Sequence, residues 1–362
     1  YDLLLRNMRN PEERKGDLDA QTAAHRVGEA RFRDIVARYG LPQVRRQMRA
    51  VMDYAQRMTG AAISEIADGV YEFEDFLDDD GVSDDPVRIR LRLTVEGGAL
   101  HCDFSGSSEE RPSSVNAVGA VTRSAVYYVV RCLLDESVPS NDGCFRPVSF
   151  TLPEGSVVNA RPPRAVAAGN VETSQRIVDV LLGALSRART GIPAASAGTM
   201  NNVSIGGWDP DPDRGGRSFA YYETVGGGAG GGPRGDGPSA VHTHMTNTMN
   251  TPVEALEMAY PFRVIEYEVR RGSGGGGRHR GGDGIRRTWE FLAPATVSLL
   301  TERRRRRPWG LAGGRAGDSG RNVLRRASGE EVELPSKGQV RVQPGERLTL
   351  ETPGGGGYGT SS

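Results

Sequence analysis

The sequence predicts an α+β fold with an N-terminal helical segment, mixed α/β layers and a β-rich C-terminal lobe. Three observations predict it. Apolar residues recur at helical spacing through the opening residues, they alternate strictly at 87–95, and beyond 261 they fall into short runs between turns. These shifts divide the chain at 1–70 (helical segment), 71–260 (mixed α/β region with Gly/Asn-rich loops) and 261–362 (β-rich lobe), all within one larger domain.

The opening helix has a start signal in Asn10-Pro11-Glu12-Glu13: an N-cap, a proline at the first helical position and acidic residues in the first turn. Ala23, Val27, Ala30, Phe32, Ile35, Val36 and Tyr39 then mark one face. Gly40 ends the helix and Pro42 opens a second one with Val44, Met48, Val51, Ala55 and Met58 on a face, so an antiparallel helical pair is expected. The acidic stretch 78–85 reads as an exposed loop. Val87, Ile89, Leu91, Leu93 and Val95 alternate with arginines, as a half-buried strand does, and Gly97-Gly98 turns it into a hairpin partner. Helices are expected near 121–134 and 172–189, strands at 203–205 and 218–224, and a short helix at 252–259. Further strands are expected at 264–269, 288–291, 296–300, 332–334, 339–342 and 347–350.

Composition narrows the function. Lys+Arg 46 balances Asp+Glu 46, which removes the global field that would favour nucleic acid or an anionic membrane. No apolar run reaches the roughly 20 residues of a membrane helix. The three cysteines, Cys102, Cys132 and Cys144, are too sparse for a disulfide framework or a zinc knuckle, and a reducing cytoplasm is the expected location. The 49 glycines cluster, which points to special backbone geometry.

Polar chemistry concentrates in three segments. His242-Thr243-His244 to Thr251-Pro252, with Glu254 beyond, holds two of the five histidines. On a strand the two histidines would share a face, as metal ligands do, although an Asn/Thr run before a proline also suits a helix start. Upstream, Gly226 to Gly232 lies between Glu223 and Asp236; such a tract can admit a ligand or act as a linker. Asn170 to Gln175 sits at a helix N-terminus, where free N–H groups favour an anion, and capping is the plainer alternative. From density alone, His242, Asp236 and Glu254 are the catalytic candidates. Asn247, Asn250, Asn170, Glu172, Gly227 and Gly228 are the substrate-binding candidates. Asp103 at a strand end suits an Asx turn. The arginine run 303–307 reads as solvated.

Several segments also occur in the order of a known family. These are residues 7–40, Asp103-Phe104-Ser105-Gly106, Pro139 to Phe145, Asn170 to Gln175, His242 to Pro252, Gly310 to Gly314 after Trp309, and Pro353 to Gly359. The ordered set resembles hydantoinase B/5-oxoprolinase proteins. The resemblance implies a component of an ATP-dependent hydrolase that opens cyclic amides such as hydantoin or 5-oxoproline. An A-type subunit in a hetero-oligomer would use the ATP to phosphorylate the substrate carbonyl oxygen. It also implies a divalent metal for the complete protein, held by an N-terminal portion that this chain lacks, so no metal ligand is assigned here and the fragment alone is expected to be incomplete. A ketone carboxylase subunit and a partner-binding scaffold are the alternatives.

Overall fold

The computed structural model describes residues 1–8, 11–212 and 216–361. The Asn10 capping position lies outside them. The chain divides into two units, Tyr1–Thr59 with Glu136–Arg146, and Gly60–Asp135 with Pro147–Ser362.

The smaller unit is built on helices α1 (Asp2–Arg6), α2 (Pro11–Tyr39) and most of α3 (Leu41–Ile63). Gly40, at φ 78°, makes the sharp joint between the long pair. The two do not pack along their lengths as the expected antiparallel pair. The reason is compositional: charged residues dilute the apolar stripe of α2 until it buries nothing. A turn of 3₁₀ helix at Asp142–Phe145 belongs to the same unit, and Arg146 beside it bonds Asp53 at 2.8 Å.

The larger unit opens with a four-stranded sheet, β1 (Gly69–Leu77), β2 (Val87–Glu96), β3 (Ala99–Asp103) and β4 (Val148–Thr151), in that order. Only β3–β4 is parallel. The alternation read in β2 is realised: Val87, Ile89, Leu91, Leu93 and Val95 are buried, while Arg90 and Arg92 lie opposite Glu74 and Glu72 of β1 and Arg88 lies opposite Phe76. Helices α4 (Gly119–Cys132) and α5 (Ser174–Ala188) complete this layer. Val126, Val129, Ile177 and Leu181 join Ile89 and Leu91 in one core.

The remaining strands form two sheets. One runs β11-β10-β13-β8-β7 and the other β12-β9-β5-β6. Their ranges are β5 Asn202–Trp208, β6 Ser218–Thr224, β7 Phe262–Arg270, β8 Gly284–Phe291 and β9 Ala295–Leu300, then β10 Arg321–Arg325, β11 Glu331–Glu333, β12 Lys337–Val342 and β13 Arg347–Glu351. A short helix, α6 (Val253–Ala259), precedes β7. Val203, Ile205, Phe262, Trp289, Phe291, Val297 and Leu348 form the second core. Strands β5 and β6 precede residue 261 yet pair with β9 through β5, so the β-rich part recruits them.

Two features correct expectations. The acidic stretch is an exposed loop only in its second half, since Asp84 and Asp85 are exposed while Asp78, Asp79 and Asp80 are buried. Nor is the arginine run simply solvated. Asp78 accepts the backbone N–H groups of Arg304, Arg305 and Arg306. Arg303 bonds both Asp75 and Asp179 at 2.7 Å, and Lys337 bridges Asp79 and Glu302. The two runs neutralise each other across the interior, a pairing between distant positions that local charge patterning cannot reveal.

The glycine tract is likewise neither a linker nor a ligand-facing surface. Residues 226–232 lie in a bed of extended glycine-rich segments that bond backbone to backbone: Gly228 N–H to Pro353, Gly282 N–H to Ala229, Gly231 N–H to Gly356 and Gly275 N–H to Gly355, at 2.8–3.0 Å. A Cβ on Gly228 would overlap the carbonyl oxygen of Gly282, and one on Gly227 would press on the Ala197 side chain. These two substrate-binding candidates therefore serve close backbone packing, not a cavity.

Candidate functional site

Immediately before α5, residues 169–173 make one π-helical turn. Such a turn widens the helix by one residue and recurs at functional positions. Here it places Glu172 wholly inside the protein and leaves Asn170 exposed. Glu172 Oε1 accepts the N–H of Met200 at 3.1 Å and the amide of Asn202 at 2.7 Å. Oε2 is buried without a hydrogen-bond partner. Burial, and then the charge of Glu302, push the Glu172 carboxyl up to about 8.

Asn202 opens β5 and carries the link outward. Its Oδ1 accepts the hydroxyl of Tyr222 at 2.5 Å. Tyr222 alternates to the outer face of β6 and is 57% exposed. A solvent-facing phenol is thus connected through one amide to a buried carboxyl. Because that phenol gives its proton to Asn202, its oxygen faces solvent as an acceptor.

The loop 241–252 lies over the same strand ends. Gln175, in the first turn of α5, donates to the Thr243 carbonyl at 3.0 Å. Thr248 bonds Thr224, the register partner of Asn202. Asn250 donates to Glu223 and to the Thr224 carbonyl, each at 2.8 Å, and accepts the Tyr267 hydroxyl at 2.8 Å. Asn250 therefore ties the loop to β6 and β7. The cap of α6 is Pro252, with no side-chain capping bond, so the capping alternative for Asn250 does not hold. His242 is half-buried, its Nε2 lacks a partner, and burial draws its pKa below the ordinary value, which keeps the ring neutral.

The structure thus gathers Glu172, Asn250 and the His242 segment, and Asn170 and Asn247 stand exposed on the same two segments. It does not gather Asp236 or Glu254. Asp236 is exposed and accepts the Arg280 N–H at 2.8 Å in the glycine bed, and Glu254 is exposed on α6. Asp103 makes the Asx turn foreseen for it, accepting the Ser105 N–H at 2.8 Å. The sequence reading missed Asn202 and Tyr222. The available signal was an aromatic at an outward position of β6, which carries nothing until the topology sets it over Glu172.

The paired-histidine metal reading also fails on geometry. His244 sits at φ 61° in a turn, which breaks the strand that would put both rings on one face. The described residues bring together no group of three His, Cys, Asp or Glu side chains able to hold a metal ion. The described residues of this chain therefore supply no ligand set for a divalent metal, and no chemistry is assigned to one.

Comparison with known proteins follows the same lines. Residues 1–361 match the family model described as Hydantoinase B/oxoprolinase. The chain is 37% identical to 5-oxoprolinase 1 of Arabidopsis thaliana, over 98% of its own length and 28% of that protein's. It is 34% identical to a candidate B-type component of a D-/L-hydantoinase from a Pseudomonas strain, over 99% of itself and 62% of the relative. Among solved structures, the ATP-dependent caprolactamase of Pseudomonas jessenii superposes with a TM-score of 0.86 at 27% identity, covering 99% of this chain and 63% of that one. The chain thus spans less than two thirds of the length of each of these proteins.

Proposed function

The chain belongs to the hydantoinase B/oxoprolinase family, and we propose that it forms the B-type part of an ATP-dependent enzyme that opens cyclic amides. In this reading an A-type partner uses ATP to phosphorylate the amide oxygen, which makes the ring carbon electrophilic. On the B-type part water then adds to that carbon, the C–N bond breaks as the nitrogen takes up a proton, and a second water releases inorganic phosphate from the acyl phosphate.

One observation carries the proposal. The two segments of the resemblance richest in polar side chains, Asn170 to Gln175 and His242 to Pro252, are bonded to each other through Gln175 and Thr243 at the edge of a buried carboxyl with an exposed phenol above it. A cyclic amide presents a ring N–H and at least one carbonyl. The Tyr222 oxygen, oriented by Asn202, accepts the N–H, and the exposed amides of Asn170 and Asn247 donate to the carbonyl side. His242, held neutral, takes a proton from the attacking water and delivers it to the departing nitrogen. Glu172 and Asn250 act behind these groups: one fixes Asn202, the other fixes the loop. The complete enzyme with its A-type partner should open 5-oxoproline or a hydantoin. Tyr222→Phe should then raise KM about ten-fold or more with a smaller loss in kcat, because a ground-state contact is removed. An unchanged KM would remove Tyr222 from the site.

A further inference from the structure

On the other side of the 241–252 loop, His244 turns away from this patch toward α4 and enters a cavity of about 460 Å³. The volume lies within the range of small-molecule sites. Its walls are apolar: Val129 and Leu133 from α4 and its end, Leu182 from α5, then Ile192, Pro193 and Pro233. Two guanidinium groups, Arg189 and Arg234, border it as well. Arg189 caps the C-terminus of α5, and Arg234 stands at the tip of the tight turn closed by the reciprocal Gly232–Gly235 backbone bonds. Neither arginine forms an ion pair within the described residues.

Two unpaired guanidinium groups beside one low-dielectric cavity repel each other and attract an anion, with no carboxylate of the chain supplied to meet it. Inside, the Tyr128 hydroxyl and His244 Nδ1 lie 3.4 Å apart, while His244 Nε2 is buried without any partner. With Tyr128 donating to Nδ1, Nε2 carries the ring proton, a buried donor whose desolvation is offset only by an incoming oxygen. Burial holds this ring neutral, with its pKa lowered to about 4. Apolar walls, two unpaired cations and an orphaned N–H describe one kind of occupant. We propose that this cavity binds a small amphipathic carboxylate, its apolar body against Val129, Leu182 and Ile192 and its anionic head on Arg189 and Arg234.

Cys132 supplies the readout. It lines the cavity and is exposed, whereas Cys102 and Cys144 are buried. On the complete gene product, the alkylation rate of Cys132 by iodoacetamide would be followed by mass spectrometry against rising hexanoate, 1-hexanol or acetate, with calorimetric titration of the same three probes. Hexanoate should bind and slow alkylation, and acetate and hexanol should each bind about ten-fold or more weakly, since each lacks one half of the recognition. Arg234→Gln, at an exposed turn tip, and Arg189→Gln should each weaken hexanoate binding about ten-fold while leaving hexanol unchanged. Unaltered melting of the variants confirms that they fold. Equal binding of hexanoate and hexanol, hexanoate affinity indifferent to both arginines, or no calorimetric signal with hexanoate would each overturn the proposal.

Discussion

Two groups of buried carboxyls in the larger unit stand in contrast. In the Asp75–Asp79 seam, Asp75 and Asp179 meet Arg176 and Arg303, Asp78 meets three backbone N–H groups, and Asp79 meets Lys337 and Ser336. Glu172 is equally buried, yet its hydrogen bonds come only from neutral donors, and the chain behind it leads to an exposed tyrosine. Equal burial therefore hides two different tasks. In the seam burial pushes the Asp75 carboxyl up and the Asp179 carboxyl up to about 7, while the facing Arg176 pulls both back toward the charged form, and that pairing serves the fold. Glu172 is kept from ionising and fixes Asn202, whose partner Tyr222 faces outward, as the proposed site requires.

The comparison breaks first at Asp179. Asp179→Ala would leave Arg176 and Arg303 buried with half their compensation gone, and removing one partner of such a set costs about 3–5 kcal/mol. Denaturant unfolding should show that loss. A change within experimental error would mean that the seam is hydrated or rearranged, not closed.

Glu172→Gln sharpens the other side. The folded-state carboxyl titrates near 8, well above its ordinary value of 4.5. Its contribution to stability is thus complete below about pH 4.5 and is lost as pH rises toward 8, because the folded state holds a proton that the unfolded state has released. The glutamine keeps the shape and cannot ionise. Thermal unfolding from pH 5 to 8.5 should therefore show the wild type losing stability relative to Glu172→Gln as pH rises. Parallel curves would mean that Glu172 is ionised throughout.

The same contrast explains what the sequence made legible. Period-two alternation revealed β2, and helical spacing revealed α3 and α5, because each pattern reports a face turned to a core, while the same spacing in α2 buries nothing. Strands β1, β4 and β10 were not located. The interspersed carboxylates of β1 mask its alternation, and the other two strands are short. The density of Asn170 to Gln175 and His242 to Pro252 drew attention to two segments that the fold joins. It could not tell that Asn250 is a brace, that Glu254 and Asp236 lie apart, or that Tyr222 and Asn202 join the patch. These facts depend on which strands become neighbours. The glycine tract misled for a related reason: absent side chains admit a ligand or another backbone equally well, and only the packed structure shows that Gly228 faces Gly282.

The most direct test of the patch is His242→Ala in the complete enzyme with its A-type partner, with ring opening and thermal unfolding measured on the same preparation. His242 is half-buried and bears no partner on Nε2, so truncating it should leave the melting temperature nearly unchanged. Because its proposed role is to move the proton to the departing nitrogen, its loss should lower kcat about 100-fold or more. Wild-type turnover in that variant would contradict the account and leave the 241–252 loop a structural strap across the ends of β5 and β6.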